Sequence, residues 1–121
     1  MARPEEEELP TIIVQRSDGL PEDNLAELLY GIEEEGIPYE VRSNPSTDAL
    51  YLAHSAALES RLGIGGGASG SVVAVTLEKL PENRPYITEQ LNHRRDLDRI
   101  IGSNAARLVK RMPLRDLSNE N

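Results

Sequence analysis

The chain has 121 residues, no cysteine, no Phe or Trp, and a formal net charge of -8. That length suits one compact domain able to bury its own core. The missing cysteine excludes disulfides, thiol catalysis and cysteine-ligated zinc, and the negative charge disfavours nucleic acid and anionic membrane surfaces, both of which are gripped by Lys and Arg.

Residues 1–10 are polar, bounded by two prolines, and carry Glu5-Glu6-Glu7-Glu8. They read as a disordered acidic tail ahead of a single domain over residues 11–118. Charge replaces the apolar segment that a signal peptide needs, and no apolar run reaches membrane-spanning length, so a cytoplasmic setting is expected. Thr11-Ile12-Ile13-Val14 is a β-branched run and a first strand, followed by turn chemistry at Ser17-Asp18-Gly19. A helix starts near Pro21, with Glu22 and Asp23 where the dipole favours acids. Leu25, Leu28, Leu29 and Ile32 fall at one-face helical spacing, and Gly36 supplies the stop.

Tyr39-Glu40-Val41 opens a second strand, and Asn44-Pro45-Ser46 is a turn. Asp48 to Leu58 reads as a second helix with Leu50, Ala53, Ala57 and Leu58 inward. A short strand at residues 62–64 leads through a glycine loop at residues 65–70 to the clearest strand, Ser71 to Leu77, and a weaker one at Tyr86-Ile87-Thr88. The last helix carries Leu97, Ile100, Ile101, Ala105, Leu108 and Val109 on one stripe, with a break at Gly102-Ser103-Asn104 and an end at Pro113. Strands alternating with helices predict an α/β fold, one sheet covered by helices on both faces.

Few constellations carry chemistry. Gly65-Gly66-Gly67-Ala68-Ser69-Gly70 matches the letters of a dinucleotide fingerprint, but it precedes a strand where that motif must open a helix, so a hairpin or flexible loop is expected. His54 and Ser55 are adjacent and do not face each other on a helix, and no spacing of ligand types completes a metal site. The basic residues Arg94, Arg95, Arg99, Arg107, Lys110 and Arg111 form either a solvated helix face or a patch for an acidic partner. Asn104 falls within an apolar stripe, so its amide is either satisfied inside the fold or marks the helix break.

Glu33-Glu34-Glu35-Gly36 breaks a rule. Helix C-termini favour cations, and each misplaced carboxylate costs on the order of 0.3–1 kcal/mol. No compensating charge is close in sequence, and such local violations mark functional positions. At about 100° per residue, Glu34 points opposite the apolar face, Glu27 and Gly31 share that outer face, and Glu33 and Glu35 flank it. Gly31 would let a partner approach the backbone. The acidic end is either a solubilising surface or a carboxylate donated to a partner's metal or arginine; a lone carboxylate does not hold Mg²⁺ but completes a site built mostly by another chain.

Gly31-Ile32-Glu33-Glu34-Glu35-Gly36-Ile37-Pro38-Tyr39, and Gly102 to Lys110 followed by Pro113-Leu114-Arg115-Asp116-Leu117, resemble the small subunit of the reactivating factor for cobalamin-dependent diol and glycerol dehydratases. The resemblance implies a three-layer α/β/α domain with a mixed, mostly parallel sheet of about four to five strands, similar to the dehydratase's own medium subunit. It implies a chaperone-like, non-catalytic chain bound to a large subunit that carries the ATPase site. That chain would exchange with the dehydratase medium subunit so that damaged cobalamin escapes, in the cytoplasm or within a bacterial microcompartment. It also implies that Glu34 contributes a ligand to a Mg²⁺ held mainly by the large subunit, with no cofactor bound by this chain alone. Glu27, Gly31 and Glu34 are the expected partner interface. The competing readings are a structural subunit of the dehydratase itself and a small-molecule binding module built on the glycine loop.

Overall fold

The computed structural model describes residues 9–117, so the acidic residues 5–8 and the far end of the expected domain lie outside the described residues. Five strands, β1 (Ile12–Ser17), β2 (Tyr39–Asn44), β3 (Ile64–Ser69), β4 (Val72–Leu77) and β5 (Ile87–Gln90), form one sheet in the order β2-β1-β3-β4-β5. Three helices cover it: α1 (Ala26–Glu34), entered through a 3-10 turn at Glu22–Leu25, α2 (Ala49–Glu59) and α3 (Arg95–Lys110). Helix α2 packs on β1, β3 and β4, while α1 and α3 lie side by side on the opposite face. The expected α/β/α layering is present. β1 pairs in parallel with β2 and β3, whereas β3–β4 and β4–β5 are antiparallel, so the mixed sheet is evenly divided rather than mostly parallel. The reason is local: Gly70, at φ 58°, turns β3 straight back into β4, which leaves no room for a crossover helix.

Strand alternation divides the core. Ile12, Val14, Ile64, Ala68, Val73 and Val75 belong to the cluster beneath α1 and α3, with Leu25, Leu28, Ile32, Leu97 and Ile101. On the other face, Gln15 is 2% exposed and donates from Nε2 to Ser55 Oγ of α2 at 3.1 Å. Asp48 caps α2, its Oδ1 accepting from the Leu50 backbone N–H at 3.0 Å.

The glycine segment departs most from expectation. It is not a loop but β3, buried along its whole length at the centre of the sheet. Alternate residues Gly65 and Gly67 face α2. A Cβ on Gly65 would stand 2.7 Å from Ala53 O and 2.6 Å from Ala56 C; one on Gly67 would stand 2.5 Å from Ala49 O and 2.9 Å from Ala53 Cα. The helix backbone therefore rests directly on the strand. Its contact face is Ala49, Leu52, Ala53, Ala56 and Ala57, so Leu50 is only half-buried and Leu58 is 58% exposed, against the expectation that both point inward.

Helix α3 is also unbroken through Gly102-Ser103-Asn104. Gly102 is there for packing: a Cβ would stand 2.8 Å from Leu28 C and 3.2 Å from Ile32 N of α1. Asn104 is 1% exposed and fully used, Nδ2 donating to Arg115 O at 3.0 Å and Oδ1 accepting from Arg115 N at 2.7 Å. Mimicking a peptide group, it ties the segment after α3 back onto the helix. Arg111, left-handed at φ 60°, and the Met112 N–H to Arg107 O bond at 3.0 Å close the helix.

Candidate functional site: the charged seam between two helices

Helices α1 and α3 meet at a crossing of glycines. A Cβ on Gly31 would stand 2.7 Å from Ser103 N and 3.0 Å from Arg99 C. Gly31 is thus buried beneath α3, which corrects the expectation that it lies open to a partner. The side of α1 turned from the sheet is not all solvent, because α3 lies along one flank of it. The close approach that a glycine permits is taken up by the chain's own helix.

Acids of α1 and bases of α3 line this crossing. Glu35 accepts from Ser103 Oγ at 2.6 Å, Arg107 Nε at 2.9 Å and Lys110 Nζ at 2.8 Å. Lys110 Nζ also donates to the Glu35 backbone carbonyl at 2.9 Å, so it neutralises the free end of α1 as a C-terminal cation should. The acidic helix end is therefore compensated, by a helix some seventy residues on. Of the basic patch, Arg99, Arg107 and Lys110 find acidic partners in the same chain, and Glu35, expected as an ordinary flanking charge, is the most tightly held of the three glutamates.

Its carboxyl is pulled from the ordinary 4.5 to about 2, chiefly by Lys110, then by Ser103 and Arg107, against the opposing effect of burial. A carboxylate with a depressed folded value stabilises the fold above its unfolded pKa and loses that contribution as pH falls through the folded one. We expect stability to be level down to about pH 4.5 and to decline from there towards about pH 2. At about 1.4 kcal/mol per unit, the contribution is at most about 3.5 kcal/mol. Thermal midpoints of the parent chain and Glu35→Gln across pH 2 to 7 check this, and the gap between them should close at the acid end.

Glu34 is held differently. Its side chain is 50% exposed, and Oε2 accepts from Arg99 Nη1 at 2.5 Å. Arg99 Nε donates to Glu27 Oε1 at 3.0 Å, its Nη2 forms an ion pair with the same oxygen at 2.8 Å, and its guanidinium carbon lies 5.5 Å from the centre of the Tyr30 ring. Glu27 and Glu34, about two helical turns apart on α1, are so brought together by one arginine of α3. Beside them a cavity of about 500 Å³ is lined by Glu27, Arg94, Asp96, Arg99 and Arg115. Sequence reasoning did not connect Arg99, Ser103, Arg107 and Lys110 to the acidic end. Their spacing, which keeps them on one face of a helix, was the available signal.

Among the described residues, no three His, Cys, Asp or Glu side chains converge on a point where a metal could sit. Glu34 fits the part of a single donated ligand: a hard oxygen donor, half in solvent, with Oε2 fixed by Arg99 and Oε1 accepting no hydrogen bond among the described residues. Ser55 Oγ is held by Gln15, and His54 Nδ1 makes no hydrogen bond, so these neighbours form no nucleophile–base pair.

In class the protein is a three-layer α/β/α domain with a half-exposed carboxylate beside a helix crossing. The profile described as dehydratase medium subunit matches residues 9–115, and the chain belongs to that family. It is 42% identical over 110 residues to the propanediol dehydratase-reactivating factor small subunit of Citrobacter freundii, covering 88% of this chain and 91% of that one. Among solved structures it superposes on a glycerol dehydratase reactivase with a TM-score of 0.85 at 30% identity, over 90% of this chain and 99% of that chain. A diol dehydratase-reactivating factor complexed with ADP and Mg²⁺ gives a TM-score of 0.84 at 36% identity, over 88% and 98%.

Proposed function

We propose that this chain serves as the small subunit of a diol or glycerol dehydratase-reactivating factor. In this reading it is non-catalytic. It binds a large ATPase subunit and exchanges with the medium subunit of the dehydratase, which opens the enzyme and lets damaged cobalamin leave. The observation that carries the reading is the near full-length likeness to reactivating-factor small subunits, at 42% identity in the first of them. The shared fold explains the exchange: a domain built like the dehydratase medium subunit presents a similar surface to the same socket.

Glu34 is the residue assigned to the large subunit. Half exposed and anchored through one oxygen, it offers the other to a Mg²⁺ whose remaining ligands come from the partner. The ADP and Mg²⁺ in the solved diol dehydratase-reactivating factor support a shared cation. Glu27 belongs to the same interface through Arg99, and Gly31 serves it from beneath by seating α3. The setting is the cytoplasm, free or inside a microcompartment.

The test is co-purification with the large subunit of the same operon in Mg·ADP and in Mg·ATP. A stable complex is expected, and cobalamin-free complex should restore a glycerol-inactivated dehydratase. Absence of binding in every nucleotide state would remove the reading. Glu34→Gln should weaken the complex in Mg²⁺ at least about tenfold, since even outer-shell partners of a metal carry that much. The family profile's description favours a second reading, a structural subunit of the dehydratase itself. Activity regained on mixing this chain with the other dehydratase subunits would select it.

A further inference from the structure

The geometry points to Arg99 as a positioning residue that sets the rotamer of Glu34 and thereby the affinity of the shared cation site. This rests on the reading that Glu34 supplies a ligand to that site. A carboxylate on the last turn of a helix, half in solvent, samples several rotamers and aims neither oxygen at a fixed point. Here one of the two is fixed: Arg99 Nη1 holds Oε2 at 2.5 Å. Arg99 in turn is not free to follow Glu34. Its Nε and Nη2 are held by Glu27 at 3.0 and 2.8 Å, and its guanidinium lies over Tyr30 at 5.5 Å. Its backbone belongs to the glycine crossing, with Arg99 C standing 3.0 Å from where a Gly31 Cβ would be. The arginine is thus clamped by three groups of α1 before it touches Glu34.

A carboxylate with one oxygen clamped and the other open is the usual arrangement of a metal ligand supported from behind. The supporting donor lowers the freedom lost on binding and fixes the direction of the open oxygen. Lysine does not replace the fork. It offers a compact point charge on a flexible stem and cannot hold Glu27 and Glu34 from fixed directions at once.

The experiment titrates free Mg²⁺ against complex formation between this chain and the large subunit, with Arg99→Gln, Arg99→Lys and Glu34→Gln beside the parent. Arg99→Gln is expected to raise the Mg²⁺ concentration giving half-maximal complex about tenfold, while Kd measured in chelator stays within about twofold of the parent. Arg99→Lys should also raise it, by a smaller factor. Should Arg99→Gln be poorly folded by its thermal midpoint, Arg99→Lys carries the test. An unchanged or lowered Mg²⁺ half-point in the arginine variants, with Mg²⁺ dependence lost in Glu34→Gln, overturns the inference and leaves the Glu34 reading standing. An equal rise in Mg²⁺ and in chelator overturns it too, because Arg99 is then a simple contact. Full Mg²⁺ dependence in Glu34→Gln overturns the Glu34 reading itself, and this inference with it.

Discussion

Gly65→Ala and Gly67→Ala are expected to abolish folding or nearly so, while Gly66→Ala between them is expected to be close to neutral. A methyl group on Gly65 would press on Ala53 O and Ala56 C at 2.7 and 2.6 Å, and one on Gly67 on Ala49 O and Ala53 Cα at 2.5 and 2.9 Å. Overpacking against side chains costs about 1–3 kcal/mol because rotamers give way. Here the obstacle is helix backbone, which moves only if α2 lifts off the sheet and exposes the alanine face it buries. A cost above about 4 kcal/mol follows, against a typical total of about 5–15 kcal/mol. Gly66 points the other way, where a Cβ would find the Val14 methyls at 3.6 and 3.9 Å, ordinary contact distances. Thermal melts of the three single variants decide it. For a chain of this size, 4 kcal/mol corresponds to a midpoint drop of more than about 10 °C. A Gly65→Ala chain melting within a few degrees of the parent would mean that α2 does not sit on β3 as described.

That pair of glycines also explains what the sequence hid. β1, β4, α1 and the ends of α2 were legible because large apolar residues recur there at strand or helix period. β3 carries the same alternation with the side chains removed on one face, and in a single sequence a strand of glycines is indistinguishable from a loop. The inward face of α2 was misjudged for the complementary reason: Leu58 outranked Ala56 by hydrophobicity, yet only alanine fits against Gly65 and Gly67. At the candidate site, helix geometry alone turns Glu34 from the sheet, and its side chain is 50% exposed and paired with Arg99. Arg99, Arg107 and Lys110 were noticed but could not be paired with α1, because the pairing depends on two helices lying side by side, which periodicity along one helix does not encode. Gly31 was misplaced by the same omission. Of the two roles open to Asn104 in the sequence, satisfied amide or helix break, its two bonds to the Arg115 backbone show the first.

The second large effect joins packing to the site. Gly102→Ala would place a methyl 2.8 Å from Leu28 C and 3.2 Å from Ile32 N, and Gly31→Ala would place one 2.7 Å from Ser103 N. Either change forces α1 and α3 apart, at a cost of about 3 kcal/mol or more. The seam is held by bonds of 2.5 to 3.0 Å, from Arg99 to Glu34 and Glu27 and from Ser103, Arg107 and Lys110 to Glu35, so they lengthen together. This gives the variant a signature that a purely steric defect lacks. In the parent, the Glu35 contribution is present above about pH 4.5 and fades towards about pH 2. In Gly102→Ala it should be largely missing at every pH. The stability gap between parent and variant should therefore be widest at neutral pH and narrow on acidification, by about 2 kcal/mol between pH 6 and pH 3. Urea unfolding of both proteins at pH 6 and pH 3 measures the two gaps. Equal gaps would show that the ion pairs survive the separation and that the glycine crossing does not position them. A gap that narrows, together with Mg²⁺-dependent complex formation that is weakened in Gly102→Ala and not weakened further when Glu34→Gln is added, would tie the glycines in the cores of two helices to the carboxylate proposed to reach the partner.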